Sequence, residues 1–129
     1  MANTITKQTI ADGELNLVVK VHLTSDGSEE TATAIIVAGD YSPAFTNCRL
    51  LRLYVAIASA SLQGKLLWDA AADVPIVALA PNSFYDADWS EFGGLPNDAG
   101  AGKTGNVLLT TLGLASGDEL TLILYLRKV

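Results

Sequence analysis

The segment ELTLILYLR, residues 119–127, decides the fold. Its even positions are all leucine, whereas its odd positions carry Glu, Thr, Ile, Tyr and Arg. Side chains of a β-strand alternate between the two faces of a sheet, so a period of two predicts a strand with one buried face. Because the other face also contains Ile123 and Tyr125, we expect that face to be partly covered. The residues predicted to lie inside are Leu120, Leu122, Leu124 and Leu126.

The same alternation runs through residues 15–23, where Leu15 and four further apolar residues occupy the odd positions. Turn-forming dipeptides such as Asp12-Gly13 separate the segments. Strands this short and regularly spaced indicate an all-β protein. The predicted architecture is an antiparallel β-sandwich or jelly roll of about eight to nine short strands. Residues 1–129 are predicted to form one such domain, with residues 1–10 as an extended N-terminal arm or an edge strand. The other predicted strands are residues 31–38, 49–58, 64–69, 74–80, 84–89 and 106–112.

The composition excludes several classes of protein. The chain has 14 acidic and 8 basic residues and a net charge of −6, which disfavours nucleic acid as a partner. One Cys and one His exclude a disulfide framework and a Cys/His zinc site. The longest uncharged apolar stretches, residues 53–64 and 74–85, are shorter than the roughly 18–20 residues that cross a bilayer. We therefore expect neither a nucleic-acid nor a membrane partner.

Motifs that could carry chemistry are incomplete. Residues 100–105, GAGKTG, resemble a phosphate-binding loop, but Asn97 stands where that motif needs glycine and a strand follows instead of a helix. A reactive Cys48 would need a base, and the one histidine, His22, is predicted on the polar side of a strand. We predict no catalytic, cofactor-binding or metal-binding residue.

Acidic residues are concentrated in residues 66–102, which contain no Lys, Arg or His. We interpret this stretch as a solvated acidic rim. The alternatives are a surface complementary to a basic partner and a site for a cation. The residues are Asp69, Asp73, Asp86, Asp88, Glu91 and Asp98.

The hydrophobic content predicts association with other proteins. Half of the residues are hydrophobic and only 17% are charged. Residues 49–58 place Leu51, Leu53, Val55 and Ile57 on one side, yet their other side is also partly apolar, and residues 106–112 are apolar on both sides. Apolar patches left exposed usually mark an interface, so we expect a homo-oligomer or a subunit of a larger shell. The few lysines are predicted at the surface: Lys7, Lys20, Lys65, Lys103 and Lys128.

Two blocks of sequence carry a family resemblance. Residues 1–13, MANTITKQTIADG, are followed by LVVKV at 17–21; residues 91–97, EFGGLPN, are followed by GAGKTG and by LLTT at 108–111. Together they resemble small virion proteins of tailed bacteriophages, and within that group capsid decoration, or cement, proteins. Residues 24–80 match nothing recognisable.

The resemblance implies a non-enzymatic protein without a cofactor, made in the host cytoplasm and bound to the outside of the capsid. It implies a homotrimer that clamps neighbouring subunits of the major capsid protein. The predicted partner-binding residues are Asn3, Thr4, Ile5, Thr6 and Lys7 of the N-terminal arm and Phe92, Leu95 and Lys103 of the closing block. The alternatives are a neck or tail component and a carbohydrate-binding or adhesin-like module, for which Tyr85, Trp89 and the acidic residues are candidates.

Overall fold

Ten strands form two antiparallel sheets in the computed structural model, which describes residues 3–41 and 44–128. Two short 3-10 helices, at Ala38–Asp40 and Ser90–Phe92, lie between strands. The predicted all-β class is confirmed. The sequence pattern missed one strand, the two-residue β8. The strands are β1 Thr4–Asp12, β2 Asn16–Thr24, β3 Thr33–Ile36, β4 Cys48–Ala58, β5 Gln63–Trp68, β6 Val74–Leu79, β7 Phe84–Asp88, β8 Leu95–Pro96, β9 Val107–Leu112 and β10 Glu119–Lys128.

The strand order is that of a jelly roll. One sheet has the order β1-β2-β10-β4-β7, with β8 beside β7 along the same side of β4, and the other has the order β3-β9-β5-β6. The pairs are nested along the chain: β2 with β10, β3 with β9, β4 with β7 and β5 with β6. A long antiparallel hairpin wrapped around one core produces this nesting.

The core lies between the two sheets, and β10 runs through the middle of the larger one. The four leucines that we predicted inside β10 are at most 1% exposed, and Leu17, Val19, Val21 and Leu23 of β2 are fully buried. The prediction for Leu15 was wrong. This side chain is 53% exposed because β2 begins at Asn16 and Leu15 lies in the turn before it.

A β-bulge changes the faces predicted for β4. Tyr125 of β10 pairs with Arg52, but the next residue of β10 pairs with Leu50, so Leu51 is the extra residue of the bulge. A bulge inverts the alternation beyond it. Leu50 and Cys48 therefore lie on the core face, and the prediction that Leu51 would share that face with Leu53 was wrong.

Lys128 is buried, which corrects its predicted place at the surface. Its side chain is only 4% exposed. The ammonium donates to Asp12 Oδ1 at 2.6 Å and to the carbonyl oxygen of Gly13 at 2.9 Å. It also lies 5.9 Å from the centre of the Phe45 ring. This ion pair fastens the end of β10 to the turn that joins β1 and β2.

Some apolar side chains that the sequence placed on an outer face are buried. Leu67 and Leu108 alternate with core residues, yet they are only 6% and 5% exposed. The accessible surface of 6257 Å² is close to the roughly 6500 Å² of a monomeric protein of this mass. The large apolar side chains left exposed lie in separate elements: Ile10, Leu15, Phe84, Phe92 and Leu112.

Candidate partner-binding surface

Strand β1 is an edge strand with little cover. Among its nine residues only Ile5 is half-buried, and the rest are exposed. It pairs with β2 on one side, and no other strand of residues 3–41 and 44–128 pairs with its second side. About half of its backbone N–H and C=O groups therefore point away from the sheet, where another strand could pair with them. Residues 1 and 2 of the predicted arm lie outside the described residues.

The predicted N-terminal site residues differ in what their side chains contact. Asn3 is held within the chain: its amide donates to Glu30 Oε2 at 2.7 Å and to the carbonyl oxygen of Ser28 at 3.0 Å. Ile5 packs against the core. The side chains of Thr4 and Thr6 are exposed.

Lys7 is also exposed, and its ammonium donates to the carbonyl oxygen of Ala34 at 3.3 Å. A lysine in the middle of an edge strand is a common means of preventing uncontrolled pairing with other edges. Lys7 therefore restricts which strands can add to β1.

The second group of predicted site residues lies elsewhere. Phe92 is 64% exposed in a 3-10 helix, whereas Leu95 of β8 pairs with Leu50 and packs against the core. Lys103 is exposed in the loop before β9. Strands β7 and β8 form the edge of the larger sheet opposite β1. The structure therefore does not bring the two predicted groups together.

The loop that carries Lys103 is anchored to the domain. Ala101 accepts a hydrogen bond from the backbone N–H of Ala71 at 3.1 Å. Gly105 has φ +85°, and a Cβ there would lie 2.9 Å from the carbonyl carbon of Thr46, so only glycine fits. The loop leads into strand β9 rather than a helix, as the sequence predicted.

Several acidic residues of the stretch 66–102 are engaged within the chain. Asp69 Oδ2 accepts from the Thr104 hydroxyl at 2.8 Å. Arg52 forms a two-pronged ion pair with Asp86, and this hydrogen bond lowers the pKa of that carboxyl. Hydrogen bonds from Ser90 lower the pKa of Asp88. Within residues 3–41 and 44–128, no three His, Cys, Asp or Glu side chains come together in a group that could hold a metal ion.

Cys48 is a buried thiol. It is fully buried, and burial raises its pKa to about 12. Its sulfur contacts the carbonyl oxygen of Gly105 at 3.7 Å. A thiol with this pKa is protonated at neutral pH and is a poor nucleophile. His22 lies on the outer face of the larger sheet, on the other side of that sheet from Cys48.

The aromatic residues near β7 face in different directions. Trp68 is 1% exposed and belongs to the core, as predicted. Tyr85 and Trp89, the candidates for a carbohydrate site, are half-buried and pack against the same core. Phe84 points the other way and is 71% exposed. The aromatic residues therefore do not form one platform.

A groove of about 430 Å³ on the outer face of the larger sheet brings together residues to which the sequence assigned no function. One row across four strands places His22 beside Thr121, Thr121 beside Ala56 and Ala56 beside Phe84. Glu119 lies next to this row, with Oε1 3.3 Å from His22 Nε2. The alternation pattern could have predicted that each of these side chains lies on an outer face. It could not have predicted which strands are neighbours or which of their residues are paired.

In the described part of the chain, no helix has the length and apolar character needed to cross a membrane.

Comparisons with known proteins find similar folds at low identity. No family model matches the chain, and no curated protein matches it. KdgF from Halomonas sp. is similar with a TM-score of 0.40 and 10% identity, over 97% of this chain and 79% of that one. A cupin superfamily protein from Desulfitobacterium hafniense has a TM-score of 0.37 and 11% identity, over 100% and 81%. The coat protein of Tobacco streak virus has a TM-score of 0.34 and 13% identity, over 84% and 85%. None of these similarities carries an argument about function.

Proposed function

We propose that this protein is a non-enzymatic structural component of a tailed-phage virion. It binds the outside of the capsid and clamps neighbouring subunits of the major capsid protein. The observation that carries the proposal is β1, a nine-residue edge strand whose residues other than Ile5 are exposed and which is unpaired on one side among the described residues. The resemblance of residues 1–13, 17–21, 91–97, 100–105 and 108–111 to small virion proteins supplies the kind of partner.

The mode of binding is strand addition. An extended segment of the coat protein pairs with the free side of β1, and main-chain hydrogen bonds supply the affinity with little demand on sequence. Contacts repeated over a shell add up, so a modest affinity at each site gives tight overall binding. Asn3 holds the start of β1 to the turn at residues 26–30, so the strand is ordered before its partner arrives.

The homotrimer enters the proposal only through the resemblance to capsid decoration proteins. Light scattering of the free protein and cryo-electron microscopy of decorated capsids measure the stoichiometry. Three copies at each site support the trimer. A single copy at each site, together with a monomeric mass in solution, contradicts it.

The test of the function is co-sedimentation with heads assembled from the coat protein encoded in the same phage genome. The wild-type chain is expected to sediment with the heads. A variant lacking residues 2–9 is expected to lose that binding while its melting temperature falls only slightly, because Ile5 is the one residue of β1 that packs against the core. Saturation of the heads by the deletion variant would remove β1 from the interface.

A matched control tests whether binding depends on the backbone of β1 or on its side chains. The double variant Thr4→Ala/Thr6→Ala changes two exposed side chains and keeps every backbone group. It is expected to bind heads within about twofold of wild type, because strand addition depends on main-chain hydrogen bonds. Loss of binding in this variant would contradict strand addition. Binding to purified tails or necks but not to heads would overturn the capsid assignment.

A further inference from the structure

We propose that the groove between β2, β10, β4 and β7 is a binding site for a neutral saccharide. Two alanines of β4, Ala56 and Ala58, form its floor. Polar side chains form one wall, and an exposed aromatic ring stands in the other. A volume of about 430 Å³ lies within the range of about 300–1,000 Å³ that is usual for ligand sites.

The aromatic wall is the ring of Phe84. It is 71% exposed, although its neighbour Tyr54 holds it in an edge-to-face contact with ring centres 5.2 Å apart. The turn before it is pinned to β4, since Asn82 N–H donates to the carbonyl oxygen of Ser59 and Ile57 N–H donates to that of Ser83, each at 2.8 Å. A fixed ring with a free face suits the C–H face of a pyranose ring, because aromatic faces carry partial negative charge.

The opposite wall offers hydrogen-bonding groups that keep capacity for a ligand. Glu119 Oε1 accepts from the Thr24 hydroxyl at 3.3 Å and lies 3.3 Å from His22 Nε2. No other described residue contacts Glu119 Oε2 within hydrogen-bond distance. Thr121 Oγ1 lies 2.8 Å from His22 Nδ1, which orients the imidazole. A carboxylate oxygen held in place accepts strong hydrogen bonds from ligand hydroxyls.

Asn82 adds an amide at the rim of the groove. It has φ +48°, a left-handed conformation that asparagine tolerates better than most residues. Its side chain is exposed and forms no hydrogen bond with the described part of the chain. An amide both donates and accepts, as vicinal hydroxyls require.

The chemistry of the lining selects the ligand class. None of the described residues that line the groove is Lys or Arg, and the chain carries a net charge of −6, so an anionic ligand is disfavoured. A single carboxylate is too few oxygen ligands for a divalent cation. A ligand that is apolar on one face and rich in hydroxyls at its edge matches both walls. This site differs from the one predicted at Tyr85 and Trp89, which face the core.

The inference does not depend on the capsid proposal, because β1 supplies no residue to the lining of this groove. The test is a titration of the full, isotope-labelled chain with methyl glycosides of glucose, galactose, mannose and N-acetylglucosamine, followed by amide NMR shifts. At least one glycoside is expected to bind with a Kd in the millimolar range, detectable at concentrations up to about 50 mM. The shifted amides are expected to be those around His22, Phe84 and Thr121.

Variants locate the binding. Phe84→Ala is expected to weaken binding about tenfold, and Glu119→Gln is expected to weaken it as well. Both side chains are more than half exposed, so neither change endangers the fold. Phe92→Ala is the matched control, because it removes another exposed ring outside the groove and is expected to bind like wild type.

Three results would overturn the inference. The first is no shift with any of the four glycosides. The second is unchanged binding in Phe84→Ala. The third is equal weakening in Phe92→Ala.

Discussion

The buried ion pair between Lys128 and Asp12 predicts an unequal response to the loss of either partner. Lys128 is 4% exposed and its ammonium relies on Asp12 Oδ1 and the Gly13 carbonyl. Asp12→Ala leaves a buried cation with one neutral acceptor. Breaking a buried pair in this way costs about 3–5 kcal/mol. We expect a loss of about 3 kcal/mol, at the lower end, because the Gly13 carbonyl remains.

The reverse change is milder. Lys128→Met replaces the cation by an apolar side chain of similar length that still packs against Phe45. Asp12 is 24% exposed, so water can reach its carboxylate. We expect a loss of about 1 kcal/mol, because apolar replacement of a buried charge is often close to neutral.

Urea unfolding followed by tryptophan fluorescence measures both variants. With a slope of about 2 kcal/mol per molar urea, the two losses correspond to midpoint shifts of about 1.5 M and about 0.5 M. Asp86→Ala is the control, because it breaks an ion pair with Arg52 at the surface and is expected to shift the midpoint least. Equal shifts for the two buried-pair variants, or a larger shift for Lys128→Met, would refute the reasoning.

Three further changes have defined outcomes. Gly113→Ala is expected to cost more than about 2 kcal/mol of unfolding free energy by urea denaturation, because Gly113 has φ +85° and a Cβ there would clash with the Ser61 carbonyl; a smaller loss would show that the turn can shift. Native Cys48 is expected to resist iodoacetamide at about pH 8 and to react in urea, because burial raises its pKa to about 12; rapid native labelling, read by mass spectrometry, would contradict this. Hydrogen bonds from Ala115 and Ser59 lower the pKa of Asp118 from its usual value of 3.8. The ionised Asp118 therefore stabilises the fold at a pH above 3.8, and this stabilisation is lost as the pH falls through the lowered pKa. Asp118→Asn is therefore expected to flatten the decline in melting temperature as the pH falls below the usual value of 3.8. An unchanged decline would contradict this role of Asp118.

The strands were predictable because their signal is local. Alternation with period two, β-branched composition and turn-forming residues are all local features, and together they located nine of the ten strands, including the buried leucines of β10. Alternation failed at Leu51 because a bulge adds one residue relative to the partner strand, and only the pairing with β10 reveals it. It also missed β8, whose two residues are too few to show a period.

The sequence by itself determined the all-β class and the buried leucines of β10, because burial of apolar side chains fixes the face of a strand. Tertiary structure decided what depends on register between distant segments. It buried Lys128 beside Asp12, which lies 116 residues away, and it joined His22 to Glu119 across 97 residues. Among residues 3–41 and 44–128, it also left β1 with a strand on one side only. Such contacts have no local pattern, since they arise only when the nested strands are wrapped around one core.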